Sequence, residues 1–454
     1  MTHRLLRRRL QAALAATGWV CVALLGGCAA APGSEEPPPP ALLGGAPAGE
    51  ADRVVVIAVD NTLVALPTQS GTTPGLYDNT PRYVTGAAAR RLLNEVAREH
   101  RLSPLAAWPI PVLGLHCATF LIPAGADRDA VLAQLARDPR VSLAQPLNQF
   151  DTRSRASPAP MQPATATPTA PAPYDDPYLP LQRNLRTLGV LDAHRCCRGA
   201  GTTVAVIDTG VDMAHADLHG MQASSANFVD ADEQQFQRDY HGTEVVGIIA
   251  ARPGNAQGIV GIAPEARLLL LKACWQKGRD GSALCNSFTL AQALAAAIER
   301  GAQVINLSLG GPADGLLTRL VQQALARGIV VVGASPDAGD AQGFPIGIPG
   351  VIAVRDGPLR GGGAKSLLAP GQEVLTLTPG GRYDFSTGSS LAAAHVSAAA
   401  ALLLQRQPRL DGPGVERLLR ASAAHNASGT PDICEALAAL GSACRCSAAR
   451  LALD

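Results

Sequence analysis

Thr387-Gly388-Ser389-Ser390-Leu391-Ala392-Ala393-Ala394-His395-Val396 runs on through Leu402-Leu403-Leu404 with small or apolar residues on every side, and Pro408 follows. A stretch that is apolar all round reads as one fully buried helix that ends before the proline. Ser390 then stands at the helix N-terminus. There the dipole and the unpaired N–H groups favour a developing oxyanion, which acyl transfer requires. A buried helix with a serine cap gives the same pattern, so the rest of the chain has to decide between the two readings.

Upstream, Val204-Ala205-Val206-Ile207-Asp208-Thr209-Gly210-Val211-Asp212 is a short apolar strand that ends on a carboxylate and a glycine turn. Open α/β sheets commonly present an acid in this way. His241-Gly242-Thr243-Glu244-Val245-Val246-Gly247-Ile248-Ile249-Ala250 places a histidine at the start of another apolar helix. Together the three stretches resemble the acid, base and nucleophile motifs of the subtilisin-like serine proteases. The resemblance implies a triad of Asp208, His241 and Ser390 in the chain order of that type, which differs from the chymotrypsin and α/β-hydrolase orders.

The same resemblance extends to the cleft. Asn306-Leu307-Ser308-Leu309-Gly310-Gly311 is similar to the family's N-x-S-L-G-G, whose backbone edge takes the substrate as an added β-strand. This assigns Ser308, Leu309 and Gly310 to substrate binding. His215 and His395 are expected to be structural, since the base role belongs to His241. Three positions depart from the family pattern. Asp337 stands where the family has an oxyanion-hole Asn, and an ionised carboxylate there accepts hydrogen bonds and repels an oxyanion. Glu244 replaces the second histidine of H-G-T-H, and Ala394 replaces the proline before His395; neither change removes a catalytic role.

The chain has 454 residues, is 47% hydrophobic and has 38 basic against 37 acidic side chains. It has room for two or three domains with a large core, and no basic surplus that would suit nucleic acid. Its ten cysteines form no C-x-x-C zinc pattern, and no acidic run has calcium-loop spacing, so neither a metal nor a cofactor is expected. Cys274 and Cys285 flank a turn-rich segment and are expected to form a disulfide.

Residues 1–27 have the plan of an export signal, with Arg4 and Arg7-Arg8-Arg9 before an apolar run. Leu25-Gly26-Gly27-Cys28 resembles a bacterial lipobox, which makes Cys28 the expected lipid anchor. Export would allow disulfides, and Ala29 in place of Asp argues for the outer membrane of a Gram-negative envelope. Residues 28–50 are a Pro- and Gly-rich tether. Over residues 51–150 the periodicities predict the order βαββαβ, which resembles the ferredoxin-like inhibitory propeptides of the family. Residues 151–173, rich in Ala, Pro and Thr, read as an exposed linker open to cutting, with Phe150 one residue that fits just before the cut. Residues 174–425 alternate strands and helices, the pattern of a doubly wound α/β domain with a mainly parallel sheet. A cysteine-containing tail fills 426–454.

The expected function is that of an exported serine endopeptidase acting on extended polypeptides, made as a lipoprotein precursor with its own propeptide as intramolecular inhibitor. The rival is a peptide-binding pseudoprotease, for which Asp337 is the main argument. A structural envelope lipoprotein would need no such triad.

Overall fold

The computed structural model describes residues 49–61, 86–152, 154–156, 173–277, 282–336, 342–357, 366–426, 428–441, 444 and 446. Residues 1–48, with the export signal, Cys28 and the tether up to residue 48, lie outside them, as does Asp337. Among the described residues no helix is long and apolar enough to cross a membrane.

The first body follows the order β1 (Val54–Asp60), α1 (Ala87–Glu99), β2 (Ser103–Ile110), β3 (Leu115–Leu121), α2 (Arg128–Leu135) and β4 (Leu143–Pro146). Its strands pair in the order β2-β3-β1-β4, all antiparallel. This is the expected split-βαβ plan. Successive residues of β1 serve opposite faces, as a period of two requires. Val55, Ile57 and Val59 pack with Leu93 and Val96 of α1, while Val54 and Val56 share a core with the larger domain. Burying each of these aliphatic side chains contributes about 1.5–3 kcal/mol.

Two short strands follow, β5 (Gln149–Thr152) and β6 (Arg155–Ala156). They cross the boundary expected at residue 150, so the start of the supposed linker is paired chain. Its composition is polar, but backbone groups on waiting strand edges set its conformation, and composition does not report those.

The larger domain is built on seven parallel strands in the order β16-β15-β14-β12-β7-β9-β8. These are β7 (Thr203–Asp208), β8 (Ala223–Asn227), β9 (Arg267–Lys272), β12 (Val304–Leu307), β14 (Val330–Ala334), β15 (Ile352–Arg355) and β16 (Leu367–Leu368). Val204 and Val206 of β7 face one core and Ala205 and Ile207 the other, so the sheet is covered on both sides. The helices that cover it are α3 (Tyr240–Ala250), α4 (Ser287–Glu299), α5 (Gly315–Ala326), α6 (Ser389–Arg406) and α7 (Gly412–Ala423). The chain leaves β7 toward β9 on one side and returns to β12 on the other. Their shared carboxyl end is therefore a topological switch point, the place where open α/β sheets hold their sites.

Outside the main sheet, β10 (Cys274–Gln276) pairs with β11 (Ala283–Asn286), and β17 (Val374–Thr378) with β18 (Arg382–Thr387). β13 is the two-residue edge Leu309–Gly310. A last helix, α8 (Ile433–Ala438), lies beyond the domain end expected at residue 425. Ile433 and Leu437 are fully buried, the Ile433 N–H donates to the Leu188 carbonyl at 2.8 Å, and Cys196–Cys444 and Cys434–Cys446 fasten the segment. The signal was present in the i, i+4 pair Ile433 and Leu437 behind the Asp432 cap.

Candidate active site

Asp208 ends β7, and its Oδ1 accepts the Thr209 N–H at 2.7 Å. His241 sits in the first turn of α3, with its Nδ1 donating to the same Oδ1 at 2.6 Å. That donation leaves the Nε2 lone pair of the neutral imidazole free to take a proton. His241 Nε2 is buried and has no hydrogen-bond partner among the described residues. Burial pulls the His241 pKa down, but the charge and hydrogen bond of Asp208, with the charge of Glu244 behind them, leave it raised overall.

The glycines of the two motifs have a steric cause. A Cβ on Gly242 would lie 2.5 Å from the Gly210 carbonyl oxygen, and one on Gly210 would lie 2.2 Å from that of Phe236. The two turns approach so closely that only glycine fits. Gly242 N–H donates to Thr209 Oγ1 at 2.9 Å, and Thr243 Oγ1 accepts from Asp212 N–H at 3.0 Å. Asp239, just before α3, is fully buried; its Oδ2 takes the Gly210 N–H at 2.8 Å and Lys272 Nζ at 2.7 Å.

Ser390 lies in the first turn of α6, whose residues Ser389 to Leu404 are all buried, as the sequence led us to expect. Its Oγ donates to the Ser308 carbonyl at 2.8 Å, and Ser308 Oγ donates back to the Ser390 carbonyl at 3.0 Å. Asn306 Nδ2 reaches Ser308 Oγ at 2.9 Å, and Ser397 Oγ holds Asn306 Oδ1 at 2.8 Å. The hydroxyl is thus turned toward the Ser308 carbonyl, on the residue just before β13.

His395 is neutral and structural. Its Nδ1 donates to the Leu391 carbonyl at 2.7 Å, so Nε2 accepts from Asn184 Nδ2 at 2.8 Å, and burial pushes its pKa down to about 4. His215 donates through Nε2 to the Arg382 carbonyl at 3.0 Å and accepts the Asp217 N–H at Nδ1.

The cleft holds a strand of the chain itself. β5 lies antiparallel between β11 and β13, with Leu309 paired to Thr152, Gly310 to Asp151, and Cys285 to Phe150. Farther along, β6 pairs with β18, Thr387 opposite Arg155 and Ser386 opposite Ala156. Phe150, which the sequence offered as the residue before a cut, is fully buried with its ring 5.4 Å from that of Phe344. It stands two residues ahead of the partner of Leu309. Gly311 makes room for it, because a Cβ there would lie 2.5 Å from Phe150 Cδ1.

The first body caps the two helices that flank the cleft. Gln145 Oε1 accepts the Leu316 N–H of α5 at 2.9 Å, and the Asn148 carbonyl accepts the Ser287 N–H of α4 at 3.0 Å. Asp314 Oδ2 gathers Gln145 Nε2 at 2.7 Å, Asn148 Nδ2 at 2.9 Å and Ser287 Oγ at 2.6 Å. Donors left open at helix starts are satisfied across the interface. This contact was not legible in the sequence, since Asp314 lies more than 160 residues from Gln145 and Asn148.

Residues 199–435, just over half of the chain, match the model of the subtilase family of S8 peptidases. The chain belongs to the subtilase family. It is 38% identical over 214 residues to a thermophilic serine proteinase of Bacillus sp. (strain AK1), 45% of this chain and 52% of that protein. It is also 38% identical over 229 residues to an intracellular serine protease of Paenibacillus polymyxa, 46% and 68% of the two chains. Against subtilisin DY of Bacillus licheniformis the figures are 33% over 240 residues, 50% and 85%. The chain thus spans about half of the first relative's length and more of the others. In structure this subtilase is similar to fervidolysin from Fervidobacterium pennivorans, with a TM-score of 0.64 at 21% identity over 85% of this chain and 60% of that one, a likeness of fold.

Cys274 and Cys285 face each other across β10 and β11 and are joined. The bridge closes a loop of 11 residues' separation, worth about 2 to 3 kcal/mol on the chain-entropy model. Replacing both cysteines by serine is expected to lower the urea midpoint accordingly; an unchanged midpoint would remove the stabilising role.

Proposed function

We propose that this subtilase is an exported serine endopeptidase that hydrolyses extended polypeptides, made as a lipoprotein precursor anchored through Cys28 and inhibited by its own residues 51–150. In this reading Ser390 attacks the peptide carbonyl, and His241 Nε2 takes the hydroxyl proton and returns it to the leaving amine. Asp208 holds the imidazole in the right tautomer and stabilises its charged form. Ser308, Leu309 and Gly310 bind the substrate backbone. The observation that carries the proposal is the antiparallel seating of β5 on Leu309 and Gly310, beside a serine and an Asp-bonded histidine.

The pairings support a cut between residues 153 and 154. Thr152 is bonded opposite Leu309, whose neighbour Ser308 touches Ser390, and Arg155 is opposite Thr387, three residues before Ser390. Cutting there would leave the lipid on the inhibitor and free the catalytic domain from the envelope. N-terminal sequencing of the released domain tests this, with Ser154 expected as its first residue. A start beyond Tyr174, or an active enzyme still joined to Cys28, would contradict it.

A second reading, peptide capture without turnover, draws on the Ser390 hydroxyl bound to Ser308 and on Asp337 at the expected oxyanion position. Losing the amide donor at that position costs about 100- to 1000-fold in turnover, a figure measured in a subtilisin. Asp337→Asn is accordingly expected to raise kcat. A slower variant would show that residue 337 does not meet the oxyanion.

A further inference from the structure

Glu244 lies one turn beyond His241 on α3 and is 5% exposed. Its Oε2 receives two hydroxyls, Ser386 Oγ of β18 at 3.3 Å and Ser154 Oγ of the bound segment at 3.4 Å. The Glu244 carbonyl takes Thr376 Oγ1 of β17 at 2.6 Å, which fixes the residue against the hairpin. Gly247 allows that approach, since a Cβ there would lie 2.6 Å from Leu377 Cγ and 2.9 Å from Thr376 Oγ1. A buried carboxylate is costly unless hydrogen bonds meet it, and here one of its two side-chain donors is Ser154, which the proposed cut would turn into a new chain end free to move away from Glu244 and leave its place to a substrate residue. Resting on the endopeptidase reading, we propose that Glu244 sets the specificity of the cleft for the residue immediately after the scissile bond, favouring serine or threonine by accepting the side-chain hydroxyl.

The chemistry excludes as well as selects. Alanine or glycine at that place leaves the acceptor with one donor fewer, and aspartate or glutamate sets like charges together without solvent. Selection also depends on pH. Burial pushes the Glu244 pKa up to about 7, with the His241 charge acting against the rise and Asp208 adding to it. The hairpin and the bound segment offer it the hydroxyls of Ser386 and Ser154. Above that value the carboxylate is a strong acceptor for both hydroxyls, and below it the protonated acid is a weaker one.

The test is a set of internally quenched peptides that differ only in Ser, Thr, Ala or Asp after the scissile bond, cleaved by the processed enzyme. Ratios of kcat/KM cancel any change that a variant makes in the catalytic step itself. Wild type is expected to prefer Ser over Ala by about tenfold at pH 8, with the ratio falling as the pH is lowered through 7. Glu244→Gln keeps an acceptor and is expected to show a smaller ratio that no longer changes with pH. Glu244→Leu is expected to lose the preference and to accept Asp no worse than Ala. A Ser-to-Ala ratio in Glu244→Leu equal to that of wild type overturns the proposal while the endopeptidase reading stands. Wild-type protein that neither cleaves these peptides nor reacts with a fluorophosphonate overturns both.

Discussion

Replacing Ser390 by alanine is expected to leave the precursor uncut and membrane-associated, and the wild type is expected to release a soluble catalytic domain. The variant has no hydroxyl to form an acyl-enzyme, and the remaining groups bind the chain without opening it. Hydrolysis of added peptides should fall by about a million-fold, the figure known for the same loss in subtilisin. Folding should survive, because the side chain's bond at 2.8 Å is to the Ser308 carbonyl, within a network that keeps Asn306, Ser308 and Ser397 in place. Fractionation and mass measurement of both proteins check the result. A Ser390→Ala protein processed as fast as wild type would mean that another protease makes the cut.

The second large effect is on stability. Lys272 and Asp239 form an ion pair at 2.7 Å with side chains 1% and 0% exposed. Removing one partner leaves the other charge without solvent, which costs about 3–5 kcal/mol. Lys272→Met is therefore expected to destabilise the domain by that amount, measured by urea unfolding in the Ser390→Ala background so that self-digestion does not interfere. Adding Asp239→Asn should recover part of the loss, since the amide keeps an acceptor for Gly210 N–H without a charge. The site should suffer too, because Asp239 joins the turn at Gly210 to the start of α3, where His241 lies. A loss under about 1 kcal/mol would show that water or another group compensates Asp239.

Short motifs and periodicity made much of this subtilase legible in sequence. β7, α3 and α6 each declare themselves, because an apolar strand ending in Asp-Thr-Gly and an apolar helix opening with His-Gly-Thr have local causes. The Gly210 and Gly242 contacts show why those residues travel together. The βαββαβ order of residues 51–150 was readable for the same reason. What escaped reading is set by partners distant in sequence. β5 looks like polar linker until Leu309 and Cys285 are placed on either side of it. The hairpin β17–β18 has its signal in Pro379-Gly380-Gly381, but its strands mix polar and apolar residues, with Arg382 to Phe385 only partly covered. Glu244 reads as a neutral departure from the family pattern, and its two hydroxyl donors come from residues 90 positions before it and 142 after it.

The most direct measurement is covalent labelling of the processed wild-type protein with a fluorophosphonate, followed by mapping of the adduct. Because His241 Nδ1 is held by Asp208 and Nε2 is left to take a proton, one adduct is predicted, on Ser390, with labelling lost in His241→Ala and in Ser390→Ala. Wild-type protein freed of residues 51–150 that takes up no label, or that carries it on a different serine, would contradict the account.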